Sequence, residues 1–344
     1  MSSKDEKGPT LKDVADAAGV SVAVASKVLN RREGVSQASR DRVMQTANTI
    51  GYRARSRRAS SSLEFESVTV VTLDRYVTDN PFHSEVIDGI LAEAREEGLS
   101  ADVRVISAES AAKGDPAQLW QNRPASVILV GIDNSGLLDA IYDAQIPTVI
   151  VNGMDRSMRI SSVSPDYHFG GVAATQHLLQ LGHRQIVHVT HPHRQSLRRR
   201  LDGFREALEE AGIEFSADRH VLDLGDPHMI GINAREIISR MIDENRELPT
   251  AFFCVADIVA LGVVQAIQAH GLSVPEDVSV MGFDGLSIGA HSSPPLSTVR
   301  IDRQELGRTG LKLLLEQNSA NKPSAKRVGM GVEVVPRLST GPAR

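Results

Sequence analysis

The N-terminal fold is decided by residues 10–53, which read TLKDVADAAGVSVAVASKVLNRREGVSQASRDRVMQTANTIGYR. Thr10, Ser21 and Ser36 can each cap a helix, because a hydroxyl oxygen accepts a hydrogen bond from the free backbone amides at a helix start. Glycines, which readily adopt the left-handed conformation that closes a helix, follow the first and third apolar runs. The stretch therefore predicts three short helices, the second over Val22–Leu29.

The predicted second helix has a composition that suits the major groove of DNA. Small side chains let a helix approach base edges in a groove about 12 Å wide, and here they are Val22, Ala23, Val24, Ala25 and Ser26. Polar side chains can reach bases or phosphates, and those available are Ser26, Lys27, Asn30, Ser36 and Ser39. A three-helix scaffold with a basic surface is the alternative interpretation.

The charge of the chain is divided in the same way. Residues 1–63 contain twelve Lys and Arg against six acidic residues, a net charge of +6, so that the other 281 residues carry −11 of the total of −5. A basic head on an acidic body indicates a polyanionic partner for the head alone. The alternative is a solvated linker that contains arginines, since RARSRRASSS at residues 53–62 has no apolar periodicity.

From Val68 onward, apolar runs alternate with amphipathic patterns. The predicted strands are Val68–Leu73, Val103–Ile106, Val127–Val130, Thr148–Val151, Ile186–Val189, Ala251–Val255 and Val278–Met281. The predicted helices are Val86–Glu97, Gly170–Leu181, Gly203–Ala211, Ile230–Asp243, Ile258–His270 and Asp302–Gln317. Apolar strands joined by helices predict parallel sheets covered on both faces. Since this segment exceeds one comfortable core, two α/β lobes are expected, with a ligand in the cleft between them.

Composition excludes several classes of protein. The 344 residues are 41% hydrophobic and 24% charged, as in ordinary globular proteins. No run approaches the roughly 18 apolar residues of a membrane span, and residues 1–8 lack the apolar core of a secretory signal. Cys254, the single cysteine, cannot form an internal disulfide. We therefore expect a soluble, cytoplasmic protein without membrane attachment.

Two segments resemble parts of enzymes or metal sites. Gly285–Gly289 matches the G-x-S-x-G pattern of hydrolases, but His291 is the only histidine downstream and Pro294 blocks the helix that this motif needs. His188, His191 and His193 have metal-like spacing without a nearby acidic residue, which favours a structural role. With no phosphate-binding glycine motif either, we expect no catalytic residue, no metal and no cofactor.

Seven motifs together resemble the LacI–GalR family of bacterial transcriptional regulators. They occur in family order and span nearly the whole chain: the stretch at 10–53, NPF at 80–82, LGHRQI at 181–186, RLDGF at 200–204, DIVALG at 257–262, VPEDVSVMGFD at 274–284 and PPLSTVR at 294–300. The resemblance implies an all-α helix-turn-helix head and a two-lobed α/β body of doubly wound parallel sheets, similar to periplasmic binding proteins.

The same resemblance implies a division of the chain into segments. The head covers residues 1–53 and a hinge covers 54–64. The N-terminal lobe comprises 65–164 with 296–326, and the C-terminal lobe comprises 165–295 with 327–344. The family functions as a dimer, which implies a homodimer on a pseudo-palindromic double-stranded operator, with helix Val86–Glu97 contributing to the dimer contact.

For DNA binding, the resemblance points to a recognition helix at Val22–Leu29. The implied contacts are Thr10, Ser21, Val22, Ala23, Val24, Ser26, Lys27, Asn30, Ser36, Arg40, Tyr52, Arg53, Arg55, Arg57 and Arg58. The hinge departs from the family pattern, because Ser61 stands where a leucine usually wedges into the minor groove. We therefore expect weaker kinking of the operator, unless Leu63 substitutes in a shifted register. The four arginines of residues 53–58 can still bind phosphates, which predicts a steeper dependence of binding on salt.

For effector binding, the implied residues are Phe82, Asn152, His191, Arg200, Asp257 and Asp284. Core packing is the alternative for Phe82, and helix capping is the alternative for Asp257. A basic cluster surrounds Arg200 in the sequence and favours an anionic or phosphorylated ligand over a neutral sugar, unless its arginines only face water. Its members are His188, His191, His193, Arg194, Arg198 and Arg199.

The sequence thus predicts a regulator whose affinity for its operator is controlled by a small ligand, with repression of a carbohydrate catabolic operon as the expected role. A solute-binding protein with the same body is the alternative. The basic head argues against it.

Overall fold

The computed structural model describes residues 10–29, 35–50, 66–78, 81–113, 123–191, 194–225, 230–318 and 324–344. The chain divides into two compact units, one within residues 1–62 and the other within residues 63–344.

The first unit contains three helices, α1 (Leu11–Ala18), α2 (Val22–Leu29) and α3 (Gln37–Thr49). Thr10 and Asp13 cap α1 reciprocally, since the Asp13 amide donates to Thr10 Oγ1 at 3.3 Å and the Thr10 amide donates to Asp13 Oδ2 at 2.6 Å. The helices enclose a small core of Val14, Ala15, Ala18, Ala25, Val28, Val43 and Ala47. The prediction of three helices, with α2 at its predicted bounds, is confirmed.

The second unit begins with a lobe built on a six-stranded parallel sheet. Its elements are β1 (Ser67–Leu73), α4 (Asp74–Thr78), α5 (Pro81–Glu97), β2 (Ser100–Ile106), α6 (Ala108–Lys113), β3 (Val127–Val130), α7 (Ser135–Asp143), β4 (Thr148–Val151) and β5 (Ser161–Pro165). A later strand completes the sheet, and the strand order is β11-β5-β4-β3-β1-β2.

The other lobe carries a second six-stranded sheet. Its elements are α8 (Tyr167–Gln180), β6 (Ile186–Thr190), α9 (Gln195–Glu210), α10 (Ala217–His220), β7 (Val221–Asp223), α11 (Ile230–Asp243), β8 (Ala251–Cys254), α12 (Asp257–Ala269), β9 (Ser279–Asp284), α13 (Ser287–Ala290) and β10 (Ser297–Arg300). The chain ends with α14 (Arg303–Asn318), β11 (Arg327–Met330) and β12 (Glu333–Val335). The strand order is β12-β10-β9-β8-β6-β7, parallel except for β12.

The chain passes between the lobes at points that differ from those expected. Strand β10, at residues 297–300, pairs with β9 in the second sheet, although residues 296–326 were assigned to the first lobe. Strand β11, at residues 327–330, pairs with β5 in the first sheet, although residues 327–344 were assigned to the second lobe. Strand pairing corrects the assignment of these two segments: β11 pairs with a strand far earlier in the chain, whereas β10 pairs with the strand that precedes it. The other segment boundaries stay predictions.

All seven predicted strands overlap strands of the structure, and all six helices predicted for the body overlap helices. Sequence periodicity missed β5, β7, β10, β11 and β12, which are three to five residues long. Such segments contain too few alternations to reveal their period, so that only pairing with a neighbour identifies them.

Glycines determine how closely the helices of each pair approach. On α8 and α9, a Cβ on Gly171 would overlap the backbone carbonyl of Arg200, and one on Gly203 would overlap that of His168. Gly89 and Gly307 have the same role between α5 and α14. The backbone segment that carries Arg200 is thereby held directly against α8.

Candidate functional site

The helix predicted to read DNA has an outward face of small side chains. Ala25 and Val28 are buried in the head core, whereas Val22 is 44% exposed and Ala23 and Lys27 are also exposed. This division follows the helical period, which places residues 22, 23, 26 and 27 away from the core. The residues predicted to face bases therefore lie on the accessible side of α2.

Three predicted contacts act as helix caps in the head. Ser21 Oγ accepts a hydrogen bond from the Val24 amide at 3.3 Å, and Ser36 Oγ accepts one from the Ser39 amide at 3.4 Å. Thr10 caps α1 as described above. Arg40 Nε donates to the carbonyl of Val35 at 3.3 Å. Ser61, the hinge and six of the predicted contacts lie outside the described residues. These six contacts are Asn30, Tyr52, Arg53, Arg55, Arg57 and Arg58.

A cleft of about 1680 Å³ lies between the two lobes of the body. Residues that follow the carboxyl ends of β1, β3, β4, β6, β8 and β9 line it, as expected for parallel sheets. Five of the six predicted effector residues are among them: Phe82, Asn152, His191, Arg200 and Asp284. Their role in binding stays a prediction.

Asp257, the sixth, is placed differently. Its side chain is fully buried at the start of α12, where Oδ2 accepts from the Leu286 amide at 2.6 Å and Oδ1 accepts from the Thr298 hydroxyl at 2.6 Å. The carboxylate is thus directed away from the cleft and holds the turn after β9. Asp257 is not among the residues that line the cleft, these contacts match the structural alternative, and its role in effector binding stays a prediction.

Arg200 and Asp284 form a buried ion pair on the second-lobe wall. Arg200 Nη2 donates to Asp284 Oδ1 at 3.2 Å, and Nη1 donates to the carbonyl of Val255. The guanidinium also lies over the rings of Phe283, at 3.9 Å, and Tyr167, at 4.6 Å. These contacts fix the orientation of the cation before any ligand arrives.

A chain of hydrogen bonds connects the two lobes across the base of the cleft. The Tyr167 hydroxyl donates to Asn152 Oδ1, and Asn152 Nδ2 lies 3.1 Å from His83 Nε2. Asn152 follows β4 with a φ of 60°, and the Nη2 of Arg194 donates to its carbonyl at 2.9 Å. The left-handed backbone at Asn152, which asparagine tolerates well, directs its amide into the chain.

Tyr76 is the centre of an aromatic and cationic group on the first-lobe wall. The His83 ring stacks on it at 4.0 Å, and the guanidiniums of Arg75 and Arg194 lie 5.0 and 5.4 Å from its centroid. Gly131 makes this stack possible, since a Cβ there would come within 2.8 Å of Tyr76 and 2.9 Å of His83. Sequence reasoning did not identify Arg75, Tyr76, His83 or Tyr167 as site residues. Their signal was position, directly after a strand or at a helix start.

Burial governs the protonation of the site. It raises the pKa of Asp284 to about 6, although Arg200 and Arg303 act in the opposite direction. It also raises the pKa of Asp257 to about 7, with a contribution from the charge of Asp284. Burial and the cations Arg194 and Arg75 hold the pKa of His83 well below its ordinary value. The imidazole of His83 is therefore neutral at physiological pH.

The basic cluster predicted around Arg200 is divided by the fold. Arg194, Arg200 and His191 line the cleft, whereas Arg198 is exposed on α9 and not among the cleft residues. His188 is fully buried and stacks on Phe253, and burial lowers its pKa to about 3. His193 lies outside the described residues.

The segment that matched the hydrolase pattern forms a single short turn. Ser287 begins the four-residue helix α13, and His291 Nδ1 donates to the Ser287 carbonyl at 2.8 Å, not to its hydroxyl. Within the part of the chain that the structure describes, no helix has the length and apolar character to cross a membrane.

Comparison with known proteins places the chain in a family. The lacI family of bacterial regulatory proteins matches residues 10–54, and the periplasmic binding protein-like domain matches residues 175–340. The HTH-type transcriptional repressor PurR of Aliivibrio fischeri (strain ATCC 700601 / ES114) is 31% identical over 336 residues, which cover 96% of this chain and 98% of the relative.

Two solved structures are similar over almost their whole length. The transcriptional regulator CelR–cellobiose complex matches with a TM-score of 0.69 at 26% identity, covering 96% of this chain and 99% of that one. The lac repressor dimer bound to operator and the anti-inducer ONPF matches with a TM-score of 0.69 at 25% identity, covering 97% and 100%. The resemblance inferred from the sequence motifs is confirmed. This chain belongs to the lacI family of bacterial regulatory proteins and is a DNA-binding transcriptional regulator with an effector-binding body.

Proposed function

We propose that the protein is a homodimeric repressor that binds a pseudo-palindromic operator and that a sugar or sugar derivative in the cleft controls its affinity for DNA. The single observation that carries this proposal is the accessible small-residue face of α2 in a head of this family. A dimer presents two such faces, which matches paired half-sites on the operator. The regulated genes would belong to carbohydrate catabolism.

The shape of α2 supports direct reading of base edges. The exposed methyl groups of Val22 and Ala23 suit contact with thymine, and Lys27 can donate to guanine or to a phosphate. The capping hydroxyls of Thr10 and Ser36 fix the helix starts that would face the DNA backbone.

The cleft supports a polyol effector. Arg200 and Asp284 together offer donors and acceptors for hydroxyl groups, and the rings of Tyr76 and Phe82 are among the residues that line the cleft. The CelR relative was solved with cellobiose, a disaccharide, and the cleft of about 1680 Å³ has room for a ligand of that size.

Contacts between the lobes supply the means of control. The hydrogen-bond chain Tyr167–Asn152–His83 joins them at the base of the cleft. Arg303 donates to Glu85 on α5 at 2.9 Å and also to the carbonyls of Asp284 and Gly285. A ligand that changes the relative position of the lobes would act on both connections, and such coupling typically alters affinity by about 5- to 150-fold.

The test begins with selection of genomic fragments by the full-length protein, followed by gel-shift titration of the enriched site. We expect a palindromic site bound by two copies. Lys27→Ala should weaken binding by about 1–3 kcal/mol, because this residue lies on the reading face. Arg246→Ala, which removes an exposed cation from the body, is the matched control.

Two results would count against the proposal. If no duplex is enriched while the head remains folded, the protein is better described as a solute-binding protein. If Lys27→Ala and Arg246→Ala weaken binding equally, α2 does not read the operator. Adding candidate sugars to the gel shift then tests whether a ligand changes the affinity.

A further inference from the structure

The first-lobe wall of the cleft contains polar atoms that have no partner. His83 is only 3% exposed, yet its Nδ1 makes no hydrogen bond. The Nε of Arg75, on the same wall, is likewise buried without a partner. Because an unsatisfied buried polar atom costs about 1–3 kcal/mol, these atoms indicate a group that is supplied from outside the chain.

The hydrogen-bond chain across the lobes determines what His83 offers. Arg200 interacts with the Tyr167 hydroxyl, which in turn donates to Asn152 Oδ1. The Asn152 amide therefore turns its NH₂ group toward His83, and Nε2 of the imidazole must accept. A neutral imidazole whose Nε2 accepts carries its proton on Nδ1. The atom without a partner is thus a hydrogen-bond donor.

Two guanidiniums, those of Arg75 and Arg194, lie near enough to the His83 imidazole to act on it electrostatically. Arg75 and Arg194 both lie against Tyr76, and neither forms an ion pair with any residue in the described part of the chain. Asp133 acts on Arg194 electrostatically, so that two cations here face one acid. Arg200 differs from them, because its charge is already paired with Asp284.

We propose that His83, Arg75 and Arg194 form a subsite for an anionic oxygen group, a phosphate or a carboxylate, carried by the effector. This inference rests on the proposed function in that it assigns the charged end of the ligand. An anionic oxygen can accept from the imidazole N–H and from both guanidiniums, and charge-assisted bonds of this kind are about twice as strong as neutral ones. A neutral hydroxyl would leave the net positive charge of the two partly desolvated cations unbalanced.

The subsite gives the effector a direction in the cleft. Its charged group lies against the first lobe, and its hydroxyls face Arg200 and Asp284 on the second. The ligand would then bring two like-charged cations, Arg75 of the first lobe and Arg194 of the second, into contact with one anion. Binding of the anion therefore favours one relative position of the lobes.

The subsite can be tested with simple anions, independently of the unknown scaffold. The full-length protein is titrated with inorganic phosphate and, separately, with acetate, against chloride at constant ionic strength. Binding is followed by thermal denaturation and by the Nδ1–H resonance of His83 in ¹⁵N-labelled protein. We expect at least one of the two anions to raise the melting temperature and to shift that resonance, and the one that does identifies phosphate or carboxylate as the group.

Variants locate the binding. Arg75→Gln and Arg194→Gln should each weaken anion binding by about tenfold to a hundredfold, the loss of one charge-assisted hydrogen bond. Arg75→Lys keeps the positive charge but loses the planar set of donors of the guanidinium. Its affinity for the anion should lie between that of Arg75→Gln and that of the unchanged protein. Arg246→Gln, an exposed cation outside the cleft, should bind the anion unchanged.

The inference is overturned if phosphate and acetate change neither the melting temperature nor the His83 resonance relative to chloride. It is also overturned if all four variants bind the anion with the same affinity. Operator binding without any anion, measured on the same samples, reports whether each variant is folded. It also separates the two claims. In the unchanged protein, absence of anion binding with operator binding intact contradicts the subsite alone, whereas anion binding without binding to any operator contradicts the proposed repressor.

Discussion

Asp284→Asn tests whether the buried ion pair in the cleft compensates for its own desolvation. Asp284 is 5% exposed and pairs with Arg200, yet burial raises its pKa from 3.8 to about 6. The shift is roughly two pK units, which corresponds to about 3 kcal/mol at 1.36 kcal/mol per unit. Above that pH, the folded protein holds a carboxylate that would be more stable in water.

The sign of the pH dependence follows from the direction of the shift. A carboxyl whose pKa is raised in the folded state stabilises the fold at a pH below its unfolded value of 3.8, and this stabilisation is lost as the pH rises through about 6. Relative to Asp284→Asn, the unchanged protein should therefore lose about 3 kcal/mol of unfolding free energy between about pH 4 and pH 7. Removing the Asp284 charge also relieves Asp257, whose pKa it raises, and this enlarges the difference near neutral pH.

The assay is urea unfolding of the full chain at fixed protein concentration and ionic strength across this pH range. Asparagine leaves Arg200 without a counter-charge, but that cost does not vary with pH in this window and cancels from the difference. Glu244→Gln, which removes one exposed carboxylate, is the matched control. The reasoning is refuted if the free energy of unfolding depends on pH in the same way for Asp284→Asn and the unchanged protein. In that case, burial does not disfavour the charged form of Asp284.

Three further outcomes are expected. Gly171→Ala should cost about 1–3 kcal/mol of stability and weaken effector binding, because the new Cβ would overlap the backbone of Arg200. Gly136→Ala, the control, should leave the stability unchanged; urea unfolding and ligand titration measure the two effects. Arg303→Met should reduce the effect of ligand on operator affinity, measured by gel shift, because it removes the ion pair with α5, and unchanged coupling would contradict this role. His188→Phe should reduce the loss of stability on acidification below about pH 6.5. Burial lowers the pKa of His188 to about 3, so that acid protonates this residue in the unfolded chain before it does so in the folded protein; an unchanged acid unfolding transition would contradict this.

Sequence reasoning was most successful where the determinants are local. The capping box of Thr10 and Asp13 and the apolar period of α2 involve residues within one or two turns of each other, so that their pattern is visible along the chain. The sequence also predicted the strands whose carboxyl ends line the cleft, because a fully buried strand is a short apolar run. The apolar pattern does not show which strands pair, and β10 and β11 were therefore assigned to the opposite lobes.

Within the cleft, position was predicted better than partnership. Asn152 follows β4, Asp284 ends β9 and Arg200 lies on α9, and all three line the cleft. Asp257 belongs to the same family motif set, but the Thr298 hydroxyl, 41 residues further along, accounts for its carboxylate. No spacing in the sequence indicates that the Asp257 carboxylate binds groups of the protein, the Thr298 hydroxyl and the Leu286 amide.

The sequence by itself determined the three head helices and the alternation of strands and helices in the body, because these depend on hydrogen bonds and apolar contacts between near neighbours. It also indicated the family, because the seven motifs occur in family order along the chain. Only the tertiary structure decided which charges are paired. Arg200 has a buried carboxylate, whereas Arg75 and Arg194 have none among the described residues. That difference arises from contacts between segments far apart in the chain, and it sets the chemistry that the cleft offers to a ligand.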